Sequence, residues 1–472
     1  MNARRGIATL FAALLLSSEV VAQEPPLPPG LAAPQPAAPA LPPGLGGAPS
    51  EPALPPGLET APATPEPAPD AETQGKRRFP LELHGFWDTR GGLRPRDDPA
   101  QSRSSPMAES RLQLKTQKEW DRAIFEFTGD FIVDGVMEEI DGDLRQARLT
   151  WTVSDSIDLR IGRQVLTWGT GDLLFINDLF PKDWNAFFIG RDVEYLKAPS
   201  DAVKVGWYHP AVNVEFVYTP QFAHDRFITG DRISFWNPLF DRHDGASREV
   251  DYNAPSTWFQ DDEFALRLYR RVGKFEVAAY GYSGYWKSPG GQRLVPFMQA
   301  SFPKLRVYGA SARGPVGKGI VNVEAGYYDS RQDESGDNPF INNSEFRFLV
   351  GYEREIGKDF TAAFQYYLER MMDYGAYMNA RIPLIEARDR DRHLFTVRLT
   401  KLLMNQNLTL SWFGYYSPTD GDAYFRPNAQ YKINDHWMVE GGANVFLGES
   451  DASFFGQFKY NTNVYAAARF SF

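Results

Sequence analysis

The feature that most constrains this chain is an alternation of apolar and polar residues that recurs from Leu81 to Phe472. Each alternating run has one apolar and one polar face, which is the pattern of a half-buried β-strand. No apolar run reaches the roughly 18 residues that a membrane-spanning helix needs, and the mean hydropathy is only −0.42. A closed barrel explains both facts, because its strands expose every second residue to lipid and cross a membrane with low average hydropathy.

The runs predict an all-β fold, a transmembrane up-and-down antiparallel β-barrel of about 18 strands, in which short turns alternate with long loops. An even count returns both chain ends to the periplasm, and 16 strands is the alternative because the first run is weak. The strands are expected to centre on Leu83, Leu114, Phe127, Leu149, Leu159, Val205, Phe216, Leu266, Ala278, Val307, Val323, Phe348, Phe364, Val397, Leu410, Pro427, Ala443 and Ala467.

The first residues are typical of a secretory signal peptide. Arg4 and Arg5 precede an apolar core at residues 7–16, and small residues lead to a cleavage site after Ala22. Residues 1–22 are therefore predicted to be removed on export. The absence of cysteine suits an exported protein and excludes disulfides and thiolate metal sites.

A Pro- and Ala-rich stretch without aromatic residues follows at residues 23–78. It contains nothing that can build a core, so we expect a disordered periplasmic linker in extended polyproline geometry. The segment Leu-Pro-Pro-Gly-Leu occurs three times, beginning at Leu27, Leu41 and Leu54. These repeats are interpreted either as an inert spacer or as a docking segment for a periplasmic partner, and the barrel itself is expected over residues 79–472.

Composition also excludes several classes of function. The formal net charge of −10 argues against a nucleic-acid partner, because a protein that binds nucleic acid presents a basic face to it. The six histidines have no metal-ligand spacing, so no metal site and no cofactor are expected. A hydrolytic site needs Ser or Asp beside His, and His224 or His243 near Asp241 and Asp244 is the nearest approach to one. We therefore expect no enzymatic activity.

The segment of residues 157–184 stands out because an alternating strand runs into an apolar loop that carries three carboxylates. The alternation breaks after Trp168, and Asp172, Asp178 and Asp183 are then interleaved with leucine, isoleucine and phenylalanine. Such a loop is too apolar to stay in water. It is expected to fold either into the bore as a constriction or outside the barrel against its neighbours.

Strand parity identifies the side chains of the inward face. The basic set is Arg111, Lys115, Arg148, Arg160, Lys204, Arg267, Arg306, Arg347, Arg398, Arg426, Lys432 and Arg469. The acidic set is Glu82, Asp88, Glu126, Asp130, Asp158, Glu215, Glu263, Glu276, Glu324, Glu345, Glu353, Glu369 and Glu440. A lumen of this kind is nearly neutral and is expected to contain cross-strand ion pairs.

Arg145 and Arg163 break this parity and fall on the lipid side if their strands are regular. A β-bulge near Gly162 would turn Arg163 inward to meet the loop carboxylates, and otherwise Arg163 bonds loop carbonyls above the lipid. The predicted constriction and lumen residues are Arg148, Arg160, Arg163, Asp172, Asp178 and Asp183.

The last strand has apolar residues at every second position from Val464 to Phe472. A terminal phenylalanine that closes such a strand resembles the signal read by the outer-membrane barrel assembly machinery. Phe470 and Phe472 are therefore predicted to direct assembly rather than transport.

A motif around the apolar loop resembles one in Gram-negative outer-membrane barrels akin to the alginate-export porins. It consists of Gly-Arg-Gln at residues 162–164, Trp-Gly at 168–169, Gly-Asp at 171–172 and Pro-x-Asp at 181–183. The resemblance implies a barrel in the cell outer membrane and a porin-like transport function. A conduit for a polyanion such as alginate should be basic inside, and the balanced lumen departs from that pattern.

We therefore expect an outer-membrane porin-like channel for a hydrophilic solute or an exported polymer. The alternative is a plugged barrel that anchors an envelope complex, and an outer-membrane enzyme ranks third. Expected partners are outer-membrane lipid and lipopolysaccharide, the barrel assembly machinery and a periplasmic protein at the repeats. Acidic clusters in the outer loops, at residues 138–143 and 329–337, are interpreted as solvated charge or as sites where divalent ions bridge lipopolysaccharide.

Overall fold

The computed structural model describes residues 82–293, 299–383 and 385–472. The predicted signal peptide and linker, residues 1–78, lie outside the described residues. Within the described part the chain is mostly β-structure, because the alternating runs pair with one another as strands. None of the described helices is long and apolar enough to cross a membrane.

The described strands are joined by tight turns at one end and longer loops at the other. In chain order they are β1 (Leu83–Leu93), β2 (Met107–Trp120), β3 (Ala123–Asp134), β4 (Glu139–Ser154), β5 (Ile157–Gln164), β6 (Ser200–Trp207), β7 (Asn213–Thr219), β8 (Phe235–Asn237), β9 (Arg242–Asp244), β10 (Tyr252–Asn253), β11 (Glu263–Val272), β12 (Phe275–Tyr285), β13 (Gly291–Arg293), β14 (Gln299–Ser301), β15 (Lys304–Val316), β16 (Gly319–Ser330), β17 (Glu345–Gly357), β18 (Phe360–Met371), β19 (Asp391–Leu403), β20 (Leu408–Ser417), β21 (Asp422–Lys432), β22 (Trp437–Gly448) and β23 (Asn463–Ser471). The helices are α1 (Trp184–Ile189) and α2 (Tyr374–Ala380), and 3-10 turns occur at Val193–Leu196 and Gly456–Asn461.

Eighteen of these strands form one closed antiparallel sheet. Each barrel strand pairs with the next one along the chain, and β23 closes the barrel on β1 with Phe86 opposite Ser471 and Leu93 opposite Val464. Closure removes the unpaired strand edges that a sheet would otherwise present in a membrane. The prediction of an up-and-down barrel with 18 strands is confirmed, and every predicted strand centre lies within a barrel strand.

The long loops build small sheets of their own at the end of the barrel opposite the tight turns. β8 pairs with β9, and β10, β14 and β13 form a three-stranded sheet. Because both chain ends of the barrel lie on the side of the tight turns, these loops are on the extracellular side of an outer-membrane barrel.

The two faces of the barrel strands differ in chemistry. Along β11, Leu266 and Leu268 are exposed on the outward face, whereas Arg267 and Tyr269 are buried on the inward face. The same alternation recurs along the other barrel strands and gives an apolar exterior around a polar interior. This is the arrangement of a barrel whose outer surface contacts lipid.

For Arg145, Arg163 and Arg306, the face that the side chain occupies or the expected bulge differs from the sequence-based expectation. The expected bulge at Gly162 is absent from the β4–β5 register, so Arg163 stays on the outward face. A register shift between β3 and β4 makes Arg145 the extra residue, and the bulge turns its side chain inward, where it is buried. Arg306, expected inside, faces outward because Leu305 and Val307 occupy the inward positions of β15.

Candidate functional site: a loop inside the barrel

The connection between β5 and β6, residues 165–199, is called here the inner loop. Its groups hydrogen-bond inward-facing side chains of strands that lie all round the barrel, so the loop lies inside the bore. These partners are Arg90 of β1, Gln113 of β2, Glu215 of β7, Glu324 of β16, Gln365 of β18, Arg398 of β19, Tyr415 of β20, Tyr424 of β21 and Asn463 of β23.

The start of the inner loop is fixed by the Trp-Gly pair of the motif. The indole of Trp168 donates to the Glu215 carboxylate at 2.9 Å. Gly169 then adopts a φ of +83°, a conformation that favours glycine, and a Cβ at this position would meet a Glu324 oxygen at 3.0 Å. The glycine therefore allows the backbone to turn close to the opposite wall.

Glu324, almost fully buried on β16, anchors the turn that follows. Its carboxylate accepts backbone N–H bonds from Thr170 and Gly171 and a side-chain bond from Asn177. A buried carboxylate needs such donors to offset its lost hydration. The sequence predicts that Glu324 faces the lumen. It does not predict that the Glu324 carboxylate binds the backbone of the inner loop.

Asp172 joins the loop to the far side of the barrel. Its carboxylate accepts two hydrogen bonds from the Arg398 guanidinium. Its backbone N–H donates to Gln365 Oε1 at 2.8 Å, and Gln365 Nε2 donates back to the Asp172 carbonyl at 2.8 Å. The loop is thus held to β18 and β19 by both a charged and a neutral pair of bonds.

Asp178 closes a network within the inner loop. It lies 3.1 Å from the Lys182 ammonium and accepts from the Thr167 hydroxyl at 2.8 Å. Lys197 donates to the same hydroxyl at 2.6 Å. Burial lowers the pKa of Lys197, although the nearby Asp178 carboxylate partly opposes this effect.

Asp183 begins the helix inside the bore. Its carboxylate accepts from the Ala186 backbone N–H at 2.7 Å and so caps α1. The same carboxylate lies 3.4 Å from Arg226, which also binds Asp143 at 2.8 Å. Burial alone would lower the pKa of Arg226, but its bonds to Asp143 and the charge of Asp183 raise it above its usual value.

A second charged centre connects the inner loop to the extracellular loop that follows β7. Glu109 of β2 accepts from Arg191 of the inner loop at 2.9 Å and from Arg232 of the extracellular loop at 3.2 Å. Arg111 of β2 is 3.5 Å away, and all four side chains are largely buried. Charges buried in this way are costly to separate, because each would remain without a partner.

Aromatic packing holds α1 against the wall. Phe188 contacts Tyr424, Phe446 and Phe458 with ring centroids 5.4, 5.3 and 5.0 Å apart. Tyr424 and Phe446 are themselves stacked at 4.5 Å on β21 and β22. The helix is therefore seated on an apolar surface as well as held by ion pairs.

A cavity of about 720 Å³ remains between the inner loop, the wall and the extracellular loops. Phe175 and Trp184 line it on the loop side, and Arg347, Tyr367 and Glu369 line it on the wall side. Arg347 lies between two acids, 2.7 Å from Glu345 and 3.6 Å from Glu369. The cavity combines aromatic surface with paired charges of both signs.

The predicted site residues are only partly brought together. Asp172, Asp178 and Asp183 all belong to the inner loop, but each has a different cationic partner, and none of these partners is Arg163. Arg163 instead pairs with Asp201 at 3.1 Å on the outward face, which corrects the bulge hypothesis.

Arg148 and Arg160, the two remaining members of the predicted set, have inward-facing positions on β4 and β5. Arg148 holds Glu126 through two bonds of 2.6 and 2.9 Å. Arg160 is on the inward side of β5, opposite Lys204 of β6 in the register.

The two terminal phenylalanines lie at the barrel seam. Phe470 packs against Trp437 with ring centroids 5.1 Å apart. The backbone of Phe472 exchanges two 3.0 Å hydrogen bonds with Gly85, so the last residue completes the ladder that closes the barrel.

The histidines that come nearest to a hydrolytic arrangement lie in aromatic surroundings. His224 packs on Phe302 with ring centroids 5.3 Å apart, and His243 meets Tyr460 edge-on at 4.8 Å. Among the residues that the structure describes, no group of three or more His, Asp or Glu side chains is arranged to hold a metal ion.

Sequence reasoning missed the residues that fix the loop from elsewhere in the chain. Gln365 is a neutral side chain that charge parity does not select, and Arg226 and Arg232 come from an extracellular loop that has no strand period. The glycines of the motif were the available signal, because they mark close approaches of backbone to another part of the molecule.

No protein-family model and no curated protein matches this chain. Solved structures that this chain matches include OccD3 of Pseudomonas aeruginosa, at 9% identity and a TM-score of 0.49, with 83% of this chain and 91% of that chain covered. OccAB3 of Acinetobacter baumannii has the same identity and TM-score, with 83% and 99% covered. A loop-deletion mutant of OmpT, an outer membrane protein of Vibrio cholerae, has 13% identity and a TM-score of 0.39, with 83% and 99% covered.

The closed 18-stranded sheet, the apolar lipid-facing exterior and the charged interior define the class. The protein is an outer-membrane β-barrel.

Proposed function

We propose that this barrel is an outer-membrane channel for a hydrophilic solute or an exported polymer, and that the inner loop sets the width of its pore. The observation that carries the proposal is the contact of the inner loop with wall strands on every side of the bore. A loop held across the bore in this way would narrow a path through it, and a cavity of about 720 Å³ lies beside the loop. The resemblance of the loop motif to the alginate-export porins supports the same class of function.

The charges of the bore favour a neutral or zwitterionic solute over a polyanion. Lys204, Glu215, Arg267 and Glu276 form a chain of ion pairs with separations of 2.6, 3.3 and 2.7 Å. Because cations and carboxylates alternate along this chain of side chains, this part of the wall does not present the field of a single sign that would concentrate a polyanion. Paired charges and aromatic rings instead offer hydrogen bonds and apolar faces to a polyhydroxylated solute.

A plugged barrel that anchors an envelope complex is the second candidate. The packing of Phe188 and the shared carboxylate of Glu109 favour it, because they fix the inner loop more firmly than a mobile gate requires. An open channel and a plug differ in whether ions pass.

Planar-bilayer recording of the full-length barrel tests the proposal. Discrete conductance steps from the wild-type protein support a channel, and conductance only in an Asp172→Asn/Arg398→Gln variant identifies the inner loop as a closed gate. If both proteins are silent while both show the heat-modifiable migration of a folded barrel, the channel is excluded and the anchor is supported. Liposome swelling then compares a neutral disaccharide with a uronate of equal size, and faster entry of the uronate contradicts the solute class.

A further inference from the structure

The outward face of the barrel carries an unusual group of cations at the extracellular ends of β15 and β16. Lys304 and Arg306 are exposed, and Arg331 follows directly after β16. The backbone N–H of Arg331 donates to the Lys304 carbonyl at 3.0 Å, which fixes the two strand ends together. These three residues are called here the rim patch.

The charges of the rim patch are not balanced. Arg331 binds both neighbouring acids, Asp329 at 3.1 Å and Glu334 at 2.7 Å. Lys304 and Arg306 form no ion pair with any residue in the described part of the chain. The group therefore holds three cations against two carboxylates, and Asp329, which stands opposite Arg306 in the register, is held by Arg331. Lys304 and Arg306 are left exposed without an ion pair among the described residues, above a surface that contacts lipid.

Other outward-facing arginines near the same rim are neutralised. Arg370 lies 2.6 Å from Asp391 on β18 and β19, and Arg163 lies 3.1 Å from Asp201 on β5 and β6. These pairs show that the wall usually supplies a carboxylate for an arginine on this face. The rim patch departs from that arrangement.

The register gives the depth of the patch in the membrane. Tyr308 and Tyr327 are paired across β15 and β16, two residues below the pair of Arg306 and Asp329, and their side chains are 56% and 38% exposed. Ala310 and Ala325 form the next outward pair below the tyrosines. Outward tyrosines with apolar residues below them mark the boundary between headgroups and acyl chains.

Two residues along a strand span about 6.8 Å, or about 5 Å along the membrane normal at a tilt of about 45°. The guanidinium of Arg306 therefore lies just above the tyrosine layer, at the depth of lipid phosphates. The geometry points to a lipid site: we propose that Lys304 and Arg306 bind the phosphate groups of outer-leaflet lipopolysaccharide directly. Arginine suits this ligand because its guanidinium donates two parallel bonds to phosphate oxygens.

Direct binding of phosphate by Lys304 and Arg306 differs from the hypothesis, based on the acidic cluster at residues 329–337, that divalent ions bridge lipopolysaccharide to the barrel. Asp329 and Glu334 are paired with Arg331, and Asp333 accepts backbone N–H bonds from Asp337 and Asn338 at 3.2 Å, so these acids already have partners within the protein.

The inference requires only that the barrel faces the outer leaflet. It is independent of whether the bore conducts.

The test is native mass spectrometry of the full-length protein in detergent, titrated with bisphosphorylated lipid A and with the same lipid after removal of its phosphates. The wild-type barrel is expected to prefer the phosphorylated lipid. A Lys304→Gln/Arg306→Gln variant should lose about fivefold in affinity per cation, or on the order of twenty-five-fold in total, because each surface cation near anionic lipid contributes about 1 kcal/mol. Arg370→Gln is the matched control and should bind as the wild type does, because that arginine is already paired.

Equal binding of both lipids by the wild type, or unchanged binding by the double variant, overturns the proposal. The proposal is also overturned if the wild type gives the mass of a dimer and the double variant does not. That result would assign the patch to contact with a second copy of the barrel. Heat-modifiable migration checks that each variant is folded. Arg306→Lys keeps the charge and is expected to retain most of the affinity. If this variant folds but loses the affinity, the site requires a guanidinium group.

Discussion

Arg398 of β19 donates two hydrogen bonds to the carboxylate of Asp172, and so joins two residues 226 positions apart in the sequence. The bond connects the wall on the C-terminal side of the barrel to a loop that leaves the wall on the N-terminal side. The position of the inner loop is therefore specified by both halves of the chain.

Replacing Arg398 with alanine should raise single-channel conductance or admit larger solutes. The substitution removes charge-assisted bonds that contribute about 1 to 3 kcal/mol to holding the loop, while the strand ladder keeps the wall intact. Arg163→Gln is the matched control, because its ion pair with Asp201 lies on the outward face. Bilayer recording decides the matter, and equal conductance of Arg398→Ala and wild type would show that Asp172 does not limit the pore.

Truncating Phe188 to alanine should loosen α1 without unfolding the barrel. The ring fills a site between Tyr424, Phe446 and Phe458, and the loss of such a buried ring typically costs about 3 to 5 kcal/mol. Hydrogen exchange of residues 184–189 should increase, and the conductance should become noisier. Phe454→Ala, at an exposed ring, should change neither quantity, and protection of α1 that survives in Phe188→Ala would assign the loop position to its ion pairs alone.

The packing of the extracellular loops around His243 should weaken in acid. Burial lowers the pKa of His243 below its ordinary value, although Asp451 partly opposes this effect. The folded loop thus favours the neutral ring, so its stability is present at neutral pH and is lost as the pH falls below the ordinary histidine pKa of about 6.5. Hydrogen exchange of residues 456–461 should rise between pH 7.5 and pH 5, relative to a His243→Phe variant measured at each pH. A parallel response of both proteins would rule out the histidine as the cause.

Phe472→Ser should lower the amount of assembled barrel and leave the conductance of each assembled molecule unchanged. The Phe472 backbone completes the ladder with Gly85, whereas its side chain is 44% exposed on the barrel and does not reach the bore. Quantification of heat-modifiable protein in outer membranes measures the first effect, and bilayer recording measures the second. Phe472→Tyr should assemble normally, and altered selectivity at normal abundance would contradict the assembly assignment.

The wall of this barrel was predictable from the sequence because lipid and lumen impose a strict period of two on every strand. The same argument failed at Arg145, where a bulge adds one residue and reverses the face of the side chain. It failed again at Arg306, because the rim lies above the acyl chains and tolerates a cation on the outside. Strand parity predicts the face of a charged side chain reliably only where the strand is regular and the hydrocarbon of the membrane excludes charge from the outer face.

The inner loop was recognisable in sequence as an apolar segment with three carboxylates, but its partners were not. About a dozen cations face the lumen, and parity does not state which of them the path of a loop will reach. Arg398 is one of these candidates, whereas the bulge hypothesis at Gly162 points to Arg163. The choice depended on the fold of the whole barrel, which brings β19 opposite the loop.

The shared carboxylate of Glu109 has a mechanical consequence. Arg191 of the inner loop and the buried Arg232 of the extracellular loop both pair with this one side chain, so neither can leave without changing the charge balance that holds the other. A pull on the extracellular loop would therefore act first on Glu109 and, through it, on the hold that the wall has on Arg191. The outer loop and the inner loop are coupled through a single side chain of β2.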